Sequence, residues 1–192
     1  MMNKPVQLAA PVIEPITLAE ARADVKVDLP EDDARLQREI RAAREQFESE
    51  TGVILTSRPM RIAFDCFNGE IWIPTGPVLS IDALRYVDMA GEVQTLEPSA
   101  YQWRAGIYEA YVRPAYGRSW PQARPQYDSV QIDFTAGWPG TGGESPSADL
   151  VPGNIKQALL WLVAKYFDDS AATAYGDGID RIINAYKVGR VA

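Results

Sequence analysis

The stretch Asp32 to Thr51, DDARLQREIRAAREQFESET, closed by Gly52, limits what this chain can fold into more than any other. Leu36, Ile40, Ala43 and Phe47 recur at steps of four, three and four. At 3.6 residues per turn they share one side of an α-helix. Arg38, Arg41, Glu45 and Glu48 fall on the opposite side. Glu31–Arg35, Arg41–Glu45 and Arg44–Glu48 are spaced i,i+4, each pair adding about 0.2–0.5 kcal/mol. Pro30 suits a first turn, and Glu31, Asp32 and Asp33 lie at the positive end of the helix dipole. Gly52 can take the left-handed conformation that ends a helix. One helix cannot bury its own apolar stripe, so other segments must cover it.

Those segments are read from period and punctuation. Residues 1–16 are predicted to be an extended arm, because Pro5, Pro11 and Pro15 oppose helix. Thr17-Leu-Ala-Glu20 matches a capping box and predicts a short helix from Leu18 to about Val25. After Gly52 the period changes from 3.6 to 2. Met60, Ile62, Phe64 and Cys66 alternate with Arg61, Ala63 and Asp65, and Asn68-Gly69 predicts a hairpin onto Ile71 and Ile73. Ile81–Val87 and Val93–Leu96 flank a turn at Asp88–Glu92, and Ala105-Gly106 separates Ala100–Arg104 from Ile107–Val112. Val130, Ile132 and Phe134 alternate once more. Gly137–Gly153 is predicted to be a long loop, Asn154 an N-cap, and Ile155–Phe167 a second strong helix. A flexible Ala/Gly stretch and a last short helix from Gly178 to about Tyr186 complete the chain. The expected architecture is therefore α+β. A helical core, residues 17–56 and 150–192, is interrupted by an antiparallel β-rich insertion and loop over 57–149.

Composition limits the chemistry. The 192 residues, 46% hydrophobic and 23% charged, suit a globular domain with an insertion. The net charge of −7 opposes gripping nucleic acid by its phosphates, though not a surface that nucleic acid slides past. There is no histidine and only one cysteine, Cys66, which excludes an internal disulfide and a structural zinc site of the usual kind. A buried thiol is expected at Cys66. No phosphate-binding glycine motif and no nucleophile elbow is present. Asp168-Asp169 and Asp177 with Asp180 miss the spacing of a calcium loop. No catalytic residue, cofactor or metal ligand is therefore assigned, no apolar run suits a membrane span, and synthesis in the cytoplasm is expected. Trp72, Trp103, Tyr111, Tyr116 and Trp120 concentrate in the β-rich region. They suit a core or an interface between subunits, and alternatively a carbohydrate-binding or tail-associated β module reading sugars through Trp103 or Trp120. A carboxylate-dependent hydrolase is a third, weaker alternative.

Several stretches in order, PITLAEARADVKVD, RAAREQFESETGVIL, IWIPTGPVLSIDALRYVDMAGEVQTLEPSAYQW, YVRPAYGRSWPQARPQYDSVQIDFTAGW, VPGNIKQALLWLVAKYF and IDRIINAYKVGR, resemble the head–tail connector, or adaptor, family of long-tailed phages. The resemblance is to the branch with a β insertion between its helices. The chain departs from it in a longer loop over 140–149 and in the acidic helix end Phe167-Asp168-Asp169. The resemblance implies a structural virion protein of the neck, without enzyme activity, assembling as a ring of about twelve copies below the portal. It implies the portal, a stopper or another neck or tail protein, and DNA passing through the lumen without specific binding, as partners. It implies docking on the portal through the chain end, with Asn184, Tyr186, Lys187, Val188, Arg190 and Val191 as candidates. Arg38, Arg41, Glu45, Glu48, Trp103 and Trp120 are candidate contacts between copies.

Overall fold

The computed structural model of the chain describes residues 4–27, 30–138, 150–168 and 171–188, with the side chains of 171–175 left aside. Four helices and two antiparallel sheets make the fold α+β. The chain divides into two compact units, Pro11–Thr56 with Trp138–Ala192, and Met1–Ala10 with Ser57–Gly137.

The first unit is helical: α1 (Leu18–Val25), α2 (Asp33–Thr51), α3 (Gly153–Phe167) and α4 (Ala171–Tyr186). A reciprocal capping box opens α1: the Glu20 amide donates to Thr17 Oγ1 at 3.1 Å and the Thr17 amide donates to Glu20 Oε2 at 2.7 Å. Gly52, at φ 79°, closes α2 and donates its amide to the Glu48 carbonyl. The stripe Leu36, Ile40, Ala43 and Phe47 is buried, as are Ile155, Leu159, Leu162 and Val163 of α3 and Ile179 and Ile183 of α4. α3 packs against α2, α1 and α4. Polar ties reinforce this apolar seam. Lys156 reaches Glu20 at 3.5 Å, and Arg35 donates to the Phe167 carbonyl at 2.8 Å while its guanidinium lies 4.3 Å from the Phe167 ring centre. A cation at that carbonyl also meets the negative end of the α3 dipole. The Tyr166 hydroxyl donates to Gln46 of α2.

Two local expectations are corrected here. The Ala/Gly stretch before Gly178 is helical, so α4 begins at Ala171. Alanine is the best helix former, and packing on α3 outweighs the roughly 1 kcal/mol that each glycine costs. At Gly178 α4 lies close against Trp161, since a Cβ there would be 2.8 Å from the indole ring. Asn154 is not the N-cap of α3: Pro152 holds that position, and the Asn154 carboxamide instead accepts from the Tyr186 hydroxyl at 2.9 Å.

The second unit is all β: β1 (Val6–Gln7), β2 (Arg58–Phe64), β3 (Ile71–Ile73), β4 (Val78–Val87), β5 (Val93–Leu96), β6 (Tyr101–Ala105), β7 (Ala110–Pro114) and β8 (Val130–Ala136). One sheet runs β1-β2-β8-β4-β5 and the other β3-β7-β6. β2 pairs with β8 along its whole length, from Arg58↔Ala136 to Phe64↔Val130. The entry and exit strands of the unit are thus neighbours. Met60, Ile62, Leu84, Val130, Ile132 and Phe134 of the larger sheet and Ile71, Ile73, Ala110 and Val112 of the smaller one are buried. In the hairpin between β4 and β5, Asp88 Oδ1 accepts from the amides of Ala90 and Glu92, and Gly91 takes φ 94°.

Three further expectations change in this unit. Asn68-Gly69 turns the chain but makes no hairpin, because β2 pairs with β1 and β8 while β3 pairs with β7 in the other sheet. The turn is anchored from a distance: Trp120 donates Nε1 to the Gly69 carbonyl at 2.7 Å and stacks on Phe67 at 4.7 Å. The N-terminal segment joins the larger sheet, with Val6 opposite Arg61 and Gln7 opposite Met60. Cys66 is exposed, since the ladder of β2 stops at Phe64.

Phe47→Ala is expected to destabilise the chain by about 3–5 kcal/mol through the cavity it leaves. Arg38→Ala on the outer side of the same helix should change stability by less than about 0.5 kcal/mol. Urea denaturation of the two variants measures both, and equal midpoints would contradict the assignment of the seam.

Candidate assembly surfaces

The outward side of α2 carries Arg38, Arg41 and Glu45, all exposed. Among the described residues Arg38 and Arg41 form no ion pair. They sit in the half of α2 nearer its positive end, where a cation gains nothing from the helix dipole. This helix therefore presents two cations one turn apart; the expected Arg41–Glu45 pair is not formed, and Glu45 instead accepts from Arg44 at 3.4 Å.

Glu48 is not part of that surface. It is buried together with Arg44, which is 3% exposed. Positions 36, 40, 44 and 48 follow one another at i,i+4, so the buried arc of α2 is wide enough to carry two charged residues on its flank. They are tolerated there because each is paired. Arg44 donates to Glu14 at 2.7 Å and to Glu48 at 3.1 Å, and the other Glu48 oxygen accepts from the Leu55 amide at 2.8 Å. Burial works against the Arg44 charge, but the hydrogen bonds and charges of Glu14 and Glu48 outweigh it and hold the guanidinium above its ordinary value. Arg44 thereby ties the segment before α1 and the segment after α2 to the middle of α2.

At the chain end, Asn184 is exposed, while Lys187 and Val188 are half-buried. Tyr186 is engaged, with its ring 6.3 Å from that of Phe47 and its hydroxyl on Asn154. The Val188 amide donates to the Thr51 carbonyl at 2.8 Å. Arg190 and Val191 lie outside the described residues, as does the 140–149 stretch.

In the β unit the two candidate tryptophans differ. Trp120 is half-buried and committed to Phe67 and Gly69, whereas Trp103 is 37% exposed. Trp103 lines a groove of about 470 Å³ with Glu70, Gln102, Arg104, Tyr111 and Arg113. Trp103 and Tyr111 stood out in the sequence and the other four did not. The period-2 alternation on either side of Ala105-Gly106 was the available signal. On the larger sheet Arg61, Asp133 and Arg85 form a cross-strand cluster. Asp133 accepts from Arg61 at 2.6 and 2.9 Å and from Arg85 at 2.5 Å. The Arg61 hydrogen bond leads the effects that hold the Asp133 carboxyl below its ordinary range, and burial opposes them. Among the described residues no group of three acidic or cysteine side chains could hold a metal ion.

No protein-family model and no curated protein matches the chain. Solved structures do. Over 100% of this chain and 97% of the matched one, at 28% identity, it is similar to a protein in the neck of an empty gene transfer agent particle analysed with C6 symmetry, with a TM-score of 0.77. With the same identity and coverage it is similar to a protein in the virion of a native gene transfer agent particle, with a TM-score of 0.76. A native particle's neck analysed with C12 symmetry gives a TM-score of 0.74.

The lowered pKa of Asp133 sets a pH dependence. Its carboxylate contributes stability that is fully present above the unfolded value, about 3.9, and lost as pH falls through the lower folded value. Between about pH 5 and pH 3, Asp133→Asn is expected to lose less of its stability than the parent chain does. Denaturation midpoints across that range check it, and parallel curves would contradict it.

Proposed function

We propose that the chain is a structural protein of the neck of a phage-like particle, a head–tail connector that assembles as a closed ring below the portal. The observation that carries this is the end-to-end similarity to neck proteins of gene transfer agent particles, at 28% identity with nothing of the chain left over. The C6 and C12 symmetry of those necks supports a ring of about twelve copies. A ring built from heterologous contacts needs two different surfaces on each copy, one accepting the other. The outward side of α2, where Arg38 and Arg41 have no ion partner among the described residues, supplies charges that a neighbouring copy can complete. The segment from Asn184 to the chain end is the part offered to the portal, and Lys187 and Arg190 suit it to an acidic groove there. A stopper or another neck protein takes the opposite side of the ring. With a net charge of −7 the chain suits a lumen through which DNA slides without being held.

The test is co-assembly. The purified chain, mixed with the portal of its own particle and imaged by electron microscopy, should add a ring to the portal. Arg38→Glu with Arg41→Glu should leave the denaturation midpoint unchanged and lower incorporation into the ring about tenfold, the equivalent of about 1.4 kcal/mol. A chain that never joins the portal would sink the connector reading. A double variant that assembles normally would remove α2 from the contact between copies.

A further inference from the structure

The outer face of the β3-β7-β6 sheet brings six polar and aromatic side chains into two cross-strand rows. Trp72 of β3 lies opposite Tyr111 of β7, which lies opposite Arg104 of β6. Two residues along, on the same face, Arg113 lies opposite Gln102, and continuing the β3–β7 register places Glu70 opposite Arg113. Five of these six, with Trp103 from the edge strand, line the groove of about 470 Å³. That volume is within the range of small-ligand clefts, about 300–1,000 Å³.

The polar groups of this groove are not used up within the fold. Glu70 and Arg113 stand opposite one another, yet among the described residues neither makes an ion pair or a hydrogen bond. Arg104 lies over the Tyr111 ring at 4.7 Å and pairs with no carboxylate. Gln102 makes only a 3.4 Å bond to the Pro114 carbonyl. The groove therefore offers a free acceptor at Glu70, free donors at Arg104 and Arg113, and an amide that does both. Flat ring surface is exposed on the same face at Trp72, which is 36% accessible, whereas Trp103 alternates with Gln102 and Arg104 and stands opposite the buried Val112, on the other face of the sheet.

The geometry points to a binding site for a pyranose oligosaccharide. A purely anionic ligand meets Glu70 as a repulsive group, and a cationic one meets two guanidinium groups. A sugar hydroxyl both donates and accepts, so vicinal hydroxyls satisfy Glu70 and the two arginines together. The apolar face of a pyranose ring lies against indole or phenol, which combine an apolar body with a polar edge. The overall charge of −7 further disfavours polyanionic sugars and selects neutral chains. This site is independent of the connector reading and adds a second role to the β unit.

The experiment is retention of the full chain on arrayed oligosaccharides of three to six pyranose units, neutral in one arm and uronate-containing in the other. Titration calorimetry follows on the oligosaccharide retained. Binding is expected in the neutral arm, weakened at least tenfold by Trp72→Ala and by Arg113→Ala, and unchanged by Asp180→Ala on α4. Arg113 is exposed, so its variant keeps the test sharp if Trp72→Ala unfolds. Retention of no sugar, retention confined to the uronate arm, or binding that both groove variants leave intact overturns the proposal. Groove variants that block incorporation into particles, with no sugar bound by the parent chain, assign the groove to a protein partner and also overturn it.

Discussion

The pairing of β2 with β8 is the constraint on which this architecture rests. The chain leaves the helical unit at Thr56 and returns at Trp138, with the whole β unit between. An excursion of that length could separate α2 from α3 by any distance. Because Arg58 faces Ala136 across one ladder, the strands that begin and end the excursion are neighbours, about 5 Å apart. Within the helical unit, the stripe of α2 is covered by α3, a helix from the far side of the excursion. The entropy of closing that interval is borne by the sheet and not by the helix seam.

Local signals were legible to the residue where one residue type does one job. Thr17 and Glu20 form the capping box, Gly52 ends α2 in the left-handed region, and Asp88 closes the β4–β5 hairpin with its own side chain. Partnership between strands was not legible. Asn68-Gly69 is as strong a hairpin signal as a sequence offers, yet the strands on either side enter different sheets. The turn fixes only a change of direction, whereas burial of Ile62 beside Ile132 and of Ile71 beside Val112 decides which strand is met. The Trp120 contact that holds this turn is 51 residues away in sequence, beyond any local pattern.

The same division holds for the surfaces. The exposed charges of α2 followed from its period, except at Glu48, where a helix buried over more than a narrow stripe takes its flanking charges inside with it. Arg44 and Glu48 are tolerable there only because each completes the other and Glu14 supplies a further carboxylate. The groove on the smaller sheet was not legible because its residues come from β6, β7 and the position just before β3, and acquire meaning only through register. No family model matches the chain, while its fold over the full length is similar to that of a protein in the neck of a gene transfer agent particle. Packing has evidently outlasted residue identity, as expected when volume and patterning are the quantities preserved.

β1 is only two residues long, yet its position gives it a disproportionate effect. It lies along the free rim of β2, where bare amides and carbonyls would otherwise be presented to any passing chain. Any chain present at high concentration loses by such a rim, because identical rims zip together into fibres. The short N-terminal segment acts as a selvedge, keeping the woven edge from joining its neighbours.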